Sequence, residues 1–373
     1  MVKPHSHKAD YVMLAYFAIL VFFGLIMLTS ASAPLAYNKF ADKYFFVRRQ
    51  LLFGFLPGLA LFFFLVKFYY RRLAALAGVI FVVSLLAVAL VFVPGIGTTL
   101  GTGARSWILF AGQSMQPAEF LKLGLIIFFA YYLSRKGGEL LDWQKGFLSA
   151  VALAALPLGL VVLQPDIGTA LVLFAIFFGM LFAAGANLWH LLALFGVGLA
   201  GFVFMILAAP YRAARLLTFL QPQLDQLGLG YHINQAYLAI GSGGIFGRGL
   251  WGSVRKYEFL PEVSADSIFA VIAEETGFIF SAAFLLLLVL ICFRTLKIAK
   301  TAPDGFGRLL AVGITIWFIV QSFINIAAMV GLAPLTGLPL PFVSHGGTAL
   351  AFAMAAVGIL VNISKYTDMK RET

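Results

Sequence analysis

Charged residues and cysteine are both scarce in this 373-residue chain. Only 11% of the residues are charged, and the sequence contains a single cysteine, Cys292. One thiol excludes a disulfide framework and a cysteine-built metal site. Soluble domains carry about 25% charged residues, so this composition excludes an ordinary soluble domain. The chain is instead 62% hydrophobic, with 39 phenylalanines, which indicates a polytopic membrane protein.

Several common site motifs are also absent. The glycine run at 240–249 lacks the Gly-Lys-Ser/Thr of a phosphate-binding loop, so nucleotide binding has no support. No His-Glu-x-x-His pattern or acidic Mg²⁺-type cluster occurs, and we assign no metal site. The net charge of +11 predicts contact with lipid headgroups rather than nucleic acid, because basic loops orient membrane proteins.

The hydrophobic residues form about ten stretches, each near the roughly 20 residues that a bilayer requires. We therefore predict an all-α, polytopic bundle forming a single domain over 1–373. The predicted spans are 11–30, 51–66, 73–93, 119–133, 146–163, 168–184, 189–209, 266–292, 309–328 and 348–362.

Short basic connections predict which side of the membrane is cytoplasmic. They place the polar segment 1–10 and the tail 363–373 inside the cell, and an even number of spans fits two ends on the same side. Three longer segments then lie outside: 94–118, 329–347, and the large loop 210–265 between spans seven and eight. Within that loop, residues 231–240 fit a short interfacial helix. The connections predicted to be cytoplasmic contain Lys67, Arg71, Arg72, Arg135, Lys136, Lys145, Arg294, Lys297, Lys300 and Arg308.

Asp266 is the strongest candidate for chemistry, because it lies where the largest outer loop enters the eighth span. Pro261 and Glu262 precede it closely. A plain helix cap is the alternative, since Asp suits a helix N-terminus. An anionic carboxylate at this boundary could instead accept a proton from a sugar hydroxyl. Deeper in the span, Glu274 and Glu275 fall on different faces of a continuous helix, so we expect structural roles for them.

Other candidates lie at further outer ends of spans. Glu119 and Lys122 share one helix face at spacing i,i+3, which predicts an ion pair for packing, a phosphate site, or both. Asp166 follows a proline at a predicted helix start, where capping is the favoured interpretation. Ser344 and His345 follow two prolines and are expected at the outer mouth, with a structural role preferred for the histidine. Arg105 lies in the loop before Glu119.

Several motifs together resemble the SEDS family (shape, elongation, division and sporulation proteins), in the order and over nearly the whole length that the family has them. The short tails and the Leu-Pro-Leu-Pro-Phe form are most similar to the elongation branch, RodA, rather than the division branch, FtsW. The motifs are Gln164-Pro-Asp-Ile-Gly, Ala239-Ile-Gly-Ser-Gly-Gly-Ile-Phe-Gly-Arg-Gly, Phe259-Leu-Pro-Glu, Asp266-Ser-Ile-Phe-Ala, Ala273-Glu-Glu and Gly337-Leu-Pro-Leu-Pro-Phe-Val-Ser-His-Gly-Gly-Thr.

The resemblance implies a peptidoglycan glycosyltransferase of the bacterial inner membrane that polymerises lipid II for cell-wall elongation and cell shape. It implies Asp266 as the essential aspartate, and Glu119 with Lys122 as the family's acid and lysine pair. It also implies a class B penicillin-binding protein as transpeptidase partner. Two departures stand out: the family usually has His-Thr where this chain has Ser264-Ala265, and Tyr where it has His345.

Together these points predict that Asp266 takes the proton from the acceptor hydroxyl while undecaprenyl diphosphate departs. Glu262, Asp166, Ser344 and His345 join the predicted substrate-binding set. A divalent cation, Mg²⁺ or Mn²⁺, would need no dedicated cage, so metal dependence stays open. The alternatives are a lipid II flippase and a non-catalytic scaffold. The cations expected to offset the diphosphate charge are Lys122, Arg105, Arg212 and Arg248.

Overall fold

The computed structural model describes residues 7–99, 104–110, 112–208, 210–221 and 228–367, except the side chains of 110, 210–212 and 229. Within these residues the chain forms a helical bundle, as the composition predicts. Its helices are α1 Tyr11–Phe40, α2 Phe45–Lys67, α3 Arg71–Phe92, α4 Pro117–Lys136, α5 Leu148–Leu163, α6 Ile167–Ala183, α7 Leu188–Leu207, α8 Pro210–Leu220, α9 Leu229–Gly243, α10 Ile268–Lys300, α11 Gly305–Met329 and α12 Gly347–Ser364.

In the described part of the chain, nine helices are long and apolar enough to cross a membrane. The shorter apolar helix α6 lies at the position of the sixth predicted span. This agrees with the prediction of about ten spans. The two chain ends meet, because the backbone N–H of Asp10 donates to Ser364 Oγ at 3.1 Å. Both ends therefore lie at one end of the bundle.

The loop predicted at 94–118 contains a small antiparallel sheet, which departs from the all-α prediction. Its strands are β1 Gly97–Thr98, β2 Trp107–Phe110 and β3 Gln113–Met115, in the order β1-β2-β3. Ile108 pairs with Gly97 on one side and with Met115 on the other. Pairing satisfies backbone groups that an irregular loop near the membrane would leave without partners.

The large predicted loop 210–265 contains two helices. Helix α8 follows α7 almost directly, and α9 extends the short helix predicted at 231–240. Turns then continue from the end of α9 to the start of α10. These turns carry Asp266, so α9 and the start of α10 determine where its side chain lies.

Helix α10 is broken at Gly277, whose backbone is in a non-helical conformation with φ 73°. The glycine-rich segment 243–249 fills the break: the N–H groups of Arg248 and Gly249 donate to the carbonyls of Glu274 and Glu275, each at 3.0 Å. A Cβ at Gly277 would lie 2.2 Å from the nitrogen of Gly247. The close approach thus requires glycine, and it satisfies backbone groups that the break exposes.

Candidate functional site

Asp266 lies in the turn before α10, one residue ahead of the helix N-cap, Ser267. Its side chain is buried, with 9% of its surface exposed. It does not cap the helix: the N-cap position belongs to Ser267, whose Oγ lies 3.4 Å from the Asp266 carboxylate. The alternative of a plain helix cap is therefore wrong for Asp266. No cation in the described residues forms an ion pair with it.

Burial, and after it the negative charge of Glu262, raise the pKa of Asp266 to about 7, although hydrogen bonds to the carboxylate and the charge of Arg215 oppose the shift. Desolvation disfavours a charged carboxylate, which is why the acid holds its proton more tightly. Glu262 itself is exposed and has a left-handed backbone with φ 46°. A group that titrates near neutral pH is matched to general acid–base work.

Residues that sequence reasoning missed support the turn around Asp266. His232 Nε2 on α9 lies 2.6 Å from Ser267 Oγ, and Ser267 Oγ donates to the carbonyl of Pro261 at 2.8 Å. Burial lowers the pKa of His232 to about 4, so this imidazole is neutral at pH 7. On α11, Asn325 Nδ2 donates to the Asp266 carbonyl at 2.8 Å. For Ser267 and Asn325 the available signal was a polar residue inside a predicted span, and for His232 it was the short helix predicted at 231–240.

Ser344 and His345 bind backbone carbonyls of the turn that precedes Asp266. They do not line the outer opening of the bundle, where we expected them. Ser344 Oγ donates to the carbonyl of Ala265, and the backbone N–H of His345 donates to the carbonyl of Ser264 at 2.8 Å. Ser344 is 5% exposed. Burial and the charge of Arg49 lower the pKa of His345 to about 4. The last loop therefore holds the backbone on the N-terminal side of Asp266.

Glu274 and Glu275 both bind the turn at 253–256, although a continuous helix would place them on different faces. Ser253 Oγ donates to Glu274 at 2.6 Å, and the ammonium of Lys256 donates to Glu275 at 2.7 Å. The turn reaches both carboxylates because α10 ends its first segment two residues later, at Gly277. Ser30 Oγ donates to Glu275 at 2.6 Å, which links the turn to α1.

Glu119 and Lys122 form the ion pair that their spacing predicts, 2.8 Å apart and fully inside the bundle. Lys122 Nζ also donates to Gln321 Oε1 at 2.7 Å and lies 4.9 Å from the ring centre of Trp317. Lys122 has no exposed surface, so in this conformation its ammonium is occupied by protein groups. Its predicted contact with phosphate requires the surrounding helices to open.

The remaining candidates lie in different surroundings. Asp166 caps α6, because its carboxylate accepts from the Thr169 N–H at 3.0 Å, as the favoured interpretation expected. Arg105 donates to the Val93 carbonyl at 3.4 Å, within the loop that carries the sheet. Arg248 is partly exposed, and its Nε lies 3.9 Å from Glu274. The side chain of Arg212 lies outside the described residues. Arg215, one turn further along α8, is the arginine whose charge acts on Asp266.

A bundle of helices that are long and apolar enough to cross a membrane defines a class: multi-pass integral membrane proteins. The chain belongs to the FtsW/RodA/SpoVE family, described as cell cycle proteins, whose family profile matches residues 10–369.

Similar proteins cover nearly the full length of the chain. It is 41% identical to stage V sporulation protein E of Bacillus subtilis, over 94% of this chain and 95% of that protein. It is 39% identical to the probable peptidoglycan glycosyltransferase FtsW of Trichlorobacter lovleyi, over 95% and 93%.

Two solved structures have the same fold. One, from a study of a peptidoglycan synthase complex that coordinates polymerization and crosslinking, covers 97% of this chain and 99% of its own, with TM-score 0.77 and 29% identity. RodA of Thermus thermophilus covers 96% and 98%, with TM-score 0.71 and 29% identity. The sporulation and division relatives above are thus more similar in sequence than RodA, so the elongation branch is not confirmed.

Proposed function

We propose that this chain is a peptidoglycan glycosyltransferase that polymerises lipid II, with Asp266 as the general base. The single observation that carries this proposal is the state of Asp266: it is buried, it forms no ion pair among the described residues, and its pKa is raised to about 7. The names of the FtsW relatives support the reaction class.

The proposed reaction needs one base and no strong acid. The acceptor is the 4-hydroxyl of N-acetylglucosamine, whose oxygen attacks the anomeric carbon of the donor while Asp266 takes its proton. The bond to undecaprenyl diphosphate breaks, and the electron pair leaves with the phosphate oxygen. Since a diphosphate is a weak base, the departing group needs compensation of charge rather than protonation. This differs from glycosidases, which pair two carboxylates.

Positive side chains near Asp266 are proposed to compensate that charge. Arg215 acts electrostatically on Asp266, and Arg248 is partly exposed at the break of α10. We keep Arg105 and Arg212 in the proposed set on their positions in the outer loops. For Lys122 we propose an indirect contribution, because its ammonium already contacts Glu119 and Gln321.

His232 and Ser267 are proposed to position the carboxylate rather than to take part in proton transfer. The neutral imidazole adds no charge beside Asp266, so it leaves the proton affinity of the carboxyl high. Its contact with Ser267, at 2.6 Å, fixes the residue that directly follows Asp266. A general base must be held within hydrogen-bond reach of the hydroxyl it deprotonates.

We propose that the protein lies in the bacterial inner membrane with both termini in the cytoplasm and Asp266 on the opposite side. The basic connections support this orientation. A class B penicillin-binding protein is proposed as its partner; the structure from the peptidoglycan synthase complex study supports that idea through its similar fold.

Purified protein in detergent, incubated with labelled lipid II, tests the proposal. In detergent no closed compartment exists, so a flippase has nothing to transport across, whereas a transferase forms glycan polymer. Polymer formed by the wild-type protein, and not by Asp266→Asn, would support the proposal. No polymer from the wild-type protein, with or without a penicillin-binding protein, combined with lipid II transport in closed vesicles, would favour the flippase instead.

The branch within the family needs a separate test. The form Leu338-Pro-Leu-Pro-Phe supports our proposal of an elongation role. Expression in bacterial strains depleted of their own elongation, division or sporulation member compares the three roles directly. Restored rod shape would support elongation, and restored septa or spores would overturn it.

A further inference from the structure

A cavity lies beside the outer end of α1, at the same end of the bundle as Asp266. It has a volume of about 420 Å³ and is formed by the last turns of α1, the segment after it, and the turns at 251–257. Sites for small molecules have volumes of about 300–1,000 Å³, so the space is sufficient for one. Asn38 Nδ2 donates to Glu258 Oε1 at 2.6 Å, which joins the two walls.

The lining of this cavity is aromatic and polar. Four large rings belong to it, those of Tyr37, Tyr44, Trp251 and Tyr257, and each has at least half of its surface exposed. Its ten described lining residues include no Leu, Ile, Val, Met or Phe. A groove for acyl chains would be lined by such side chains. Rings with hydroxyl or N–H groups instead suit a ligand with both apolar faces and polar edges.

Two of these rings, those of Trp251 and Tyr257, lie beside the buried ammonium of Lys256. Its Nζ donates to Ser30 Oγ, the Trp251 carbonyl and Glu275 at 3.0, 2.9 and 2.7 Å, which uses all three protons. The same ammonium lies 5.8 Å from the ring centre of Trp251 and 5.9 Å from that of Tyr257. These contacts fix the two rings before any ligand arrives, which lowers the entropic cost of binding.

The backbone at Trp251 is strained, and this strain supports a binding role for the cavity. This residue has φ 70°, in the left-handed region that non-glycine residues rarely occupy. Such conformations persist only where the surrounding contacts enforce them, and they are concentrated at binding and catalytic sites. Trp189, at the start of α7, differs from Trp251: it is 77% exposed and is not among the residues that line the cavity. This is expected of a tryptophan ring at a membrane interface.

Lys43 gives the cavity a preference for anions. It is exposed at the rim, and its ammonium lies 6.0 Å from the ring centre of Tyr37. Among the described residues no carboxylate forms an ion pair with it. Since Lys256 has no proton to spare, Lys43 is the cation that can meet a negative group of the ligand.

We propose that this cavity binds a saccharide segment bearing negative charge, namely the glycan strand of the product, away from the reacting atoms at Asp266. The pyranose faces stack on Trp251 and Tyr257, and Lys43 meets an acidic group of the peptide that the strand carries. This inference rests on the proposed function for the identity of the glycan. Holding the strand would keep its end near the site between successive additions.

Fluorescence anisotropy of a labelled oligosaccharide tests the proposal on the Asp266→Asn protein, in phosphatidylcholine nanodiscs. The probe is a muramidase-released tetrasaccharide of N-acetylglucosamine and N-acetylmuramyl peptide. We expect saturable binding that Trp251→Ala or Tyr257→Ala weakens about 30-fold, as for a central aromatic contact. Lys43→Ala should weaken it about 3-fold, typical of an exposed charge. The matched controls are Trp189→Ala and Lys39→Ala; Lys39 is an exposed lysine near the end of α1 that does not line the cavity. Thermal unfolding confirms that each variant folds.

The neutral chitotetraose and the anionic lipid phosphatidylglycerol complete the experiment. Chitotetraose should bind more weakly and be unaffected by Lys43→Ala. Binding that no cavity variant changes would overturn the proposal, as would displacement of the probe by phosphatidylglycerol at the ordinary lipid content of the disc. Polymer from the wild-type protein without probe binding contradicts this inference alone, whereas probe binding without polymer contradicts the proposed function alone.

Discussion

Asp266 lies in the turn before α10, and Glu274 and Glu275 lie just before the break in that helix, and the surroundings of the two sites are opposite. Glu275 accepts from Lys256 and Ser30 at 2.7 and 2.6 Å. Glu274 accepts from Ser253 Oγ at 2.6 Å. Among the described residues, the carboxylate of Asp266 has no cation beside it: its contacts are Ser267 Oγ at 3.4 Å and its own backbone N–H. All three are buried.

This difference distinguishes two carboxylates with structural contacts from the carboxylate that we propose as the base. A buried carboxylate with a cation and several donors has its charge stabilised, and it holds the turn at 253–256 against the helix break. A buried carboxylate without them keeps a high affinity for protons, which a base needs. Burial alone therefore does not distinguish Asp266 from Glu274 and Glu275. The cations and hydrogen-bond donors around each carboxylate do distinguish them.

The largest expected contrast is catalytic. Asp266→Asn should reduce glycan polymerisation by at least about 10² to 10⁴, the usual contribution of a general base. Initial rates with labelled lipid II measure it, and Asp42→Asn is the control, because Asp42 forms an exposed ion pair with Arg48 at 3.0 Å. A well-folded Asp266→Asn protein with wild-type rates would remove Asp266 from the mechanism.

For stability, Glu275 should matter more than Asp266. Glu275→Gln leaves the ammonium of Lys256 buried without its carboxylate, so we expect a loss of about 3–5 kcal/mol. Thermal unfolding in detergent measures this, together with the yield of folded protein. The matched control is Glu139→Gln, whose ion pair with Lys136 is on the surface, where water screens the charges, so its loss should be much smaller. Equal losses in the two variants would show that the buried pair is not structural.

The pH dependence of stability distinguishes Asp266 from an ordinary surface acid. Its pKa rises from the ordinary 3.8 to about 7 in the folded protein, so the folded state binds the proton more tightly than the unfolded state. The stabilising effect of that proton is complete below pH 4 and is lost as pH rises through 7. Asp266→Asn should therefore be more stable than wild type at pH 8, by up to roughly 4 kcal/mol, and unchanged at pH 4. Melting curves at both values check it; a variant less stable at pH 8 would contradict the assigned shift.

The smallest expected effect concerns positioning. Ser267→Ala removes the hydroxyl between His232 and the Asp266 turn, and a hydrogen bond of this kind is worth about 1 kcal/mol. We expect kcat to fall about 3- to 10-fold with KM unchanged. Ser84→Ala, a buried serine within α3 that donates to the Phe81 carbonyl at 2.7 Å, is the control. A change in KM without kcat would indicate substrate contact instead.

The sequence was sufficient where local rules apply. Hydrophobic stretches predicted the spans, helix-start chemistry predicted the cap at Asp166, and i,i+3 spacing predicted the pair Glu119 and Lys122. These features depend on residues within one turn of each other. The placement of Asp266 at the start of α10 was predicted for the same reason.

Contacts between distant segments were not predictable in this way. The break at Gly277 exists because segment 243–249 fills it, and a periodic pattern alone suggests a continuous helix. The pairing of Lys256 with Glu275 and the contact of His232 with Ser267 likewise join separate segments. Both depend on how the turns fold back onto α9 and α10, which no local pattern contains.

The pH dependence of polymerisation tests the central claim most directly. Initial rates between about pH 5.5 and 8.5 should rise with an apparent pKa near 7, because only the ionised carboxylate of Asp266 accepts the proton. Glu262→Gln should move this rise to lower pH, since the charge of Glu262 helps to raise the pKa of Asp266. Rates that stay constant across the range, in a protein that remains folded, would contradict the assignment of Asp266 as the base.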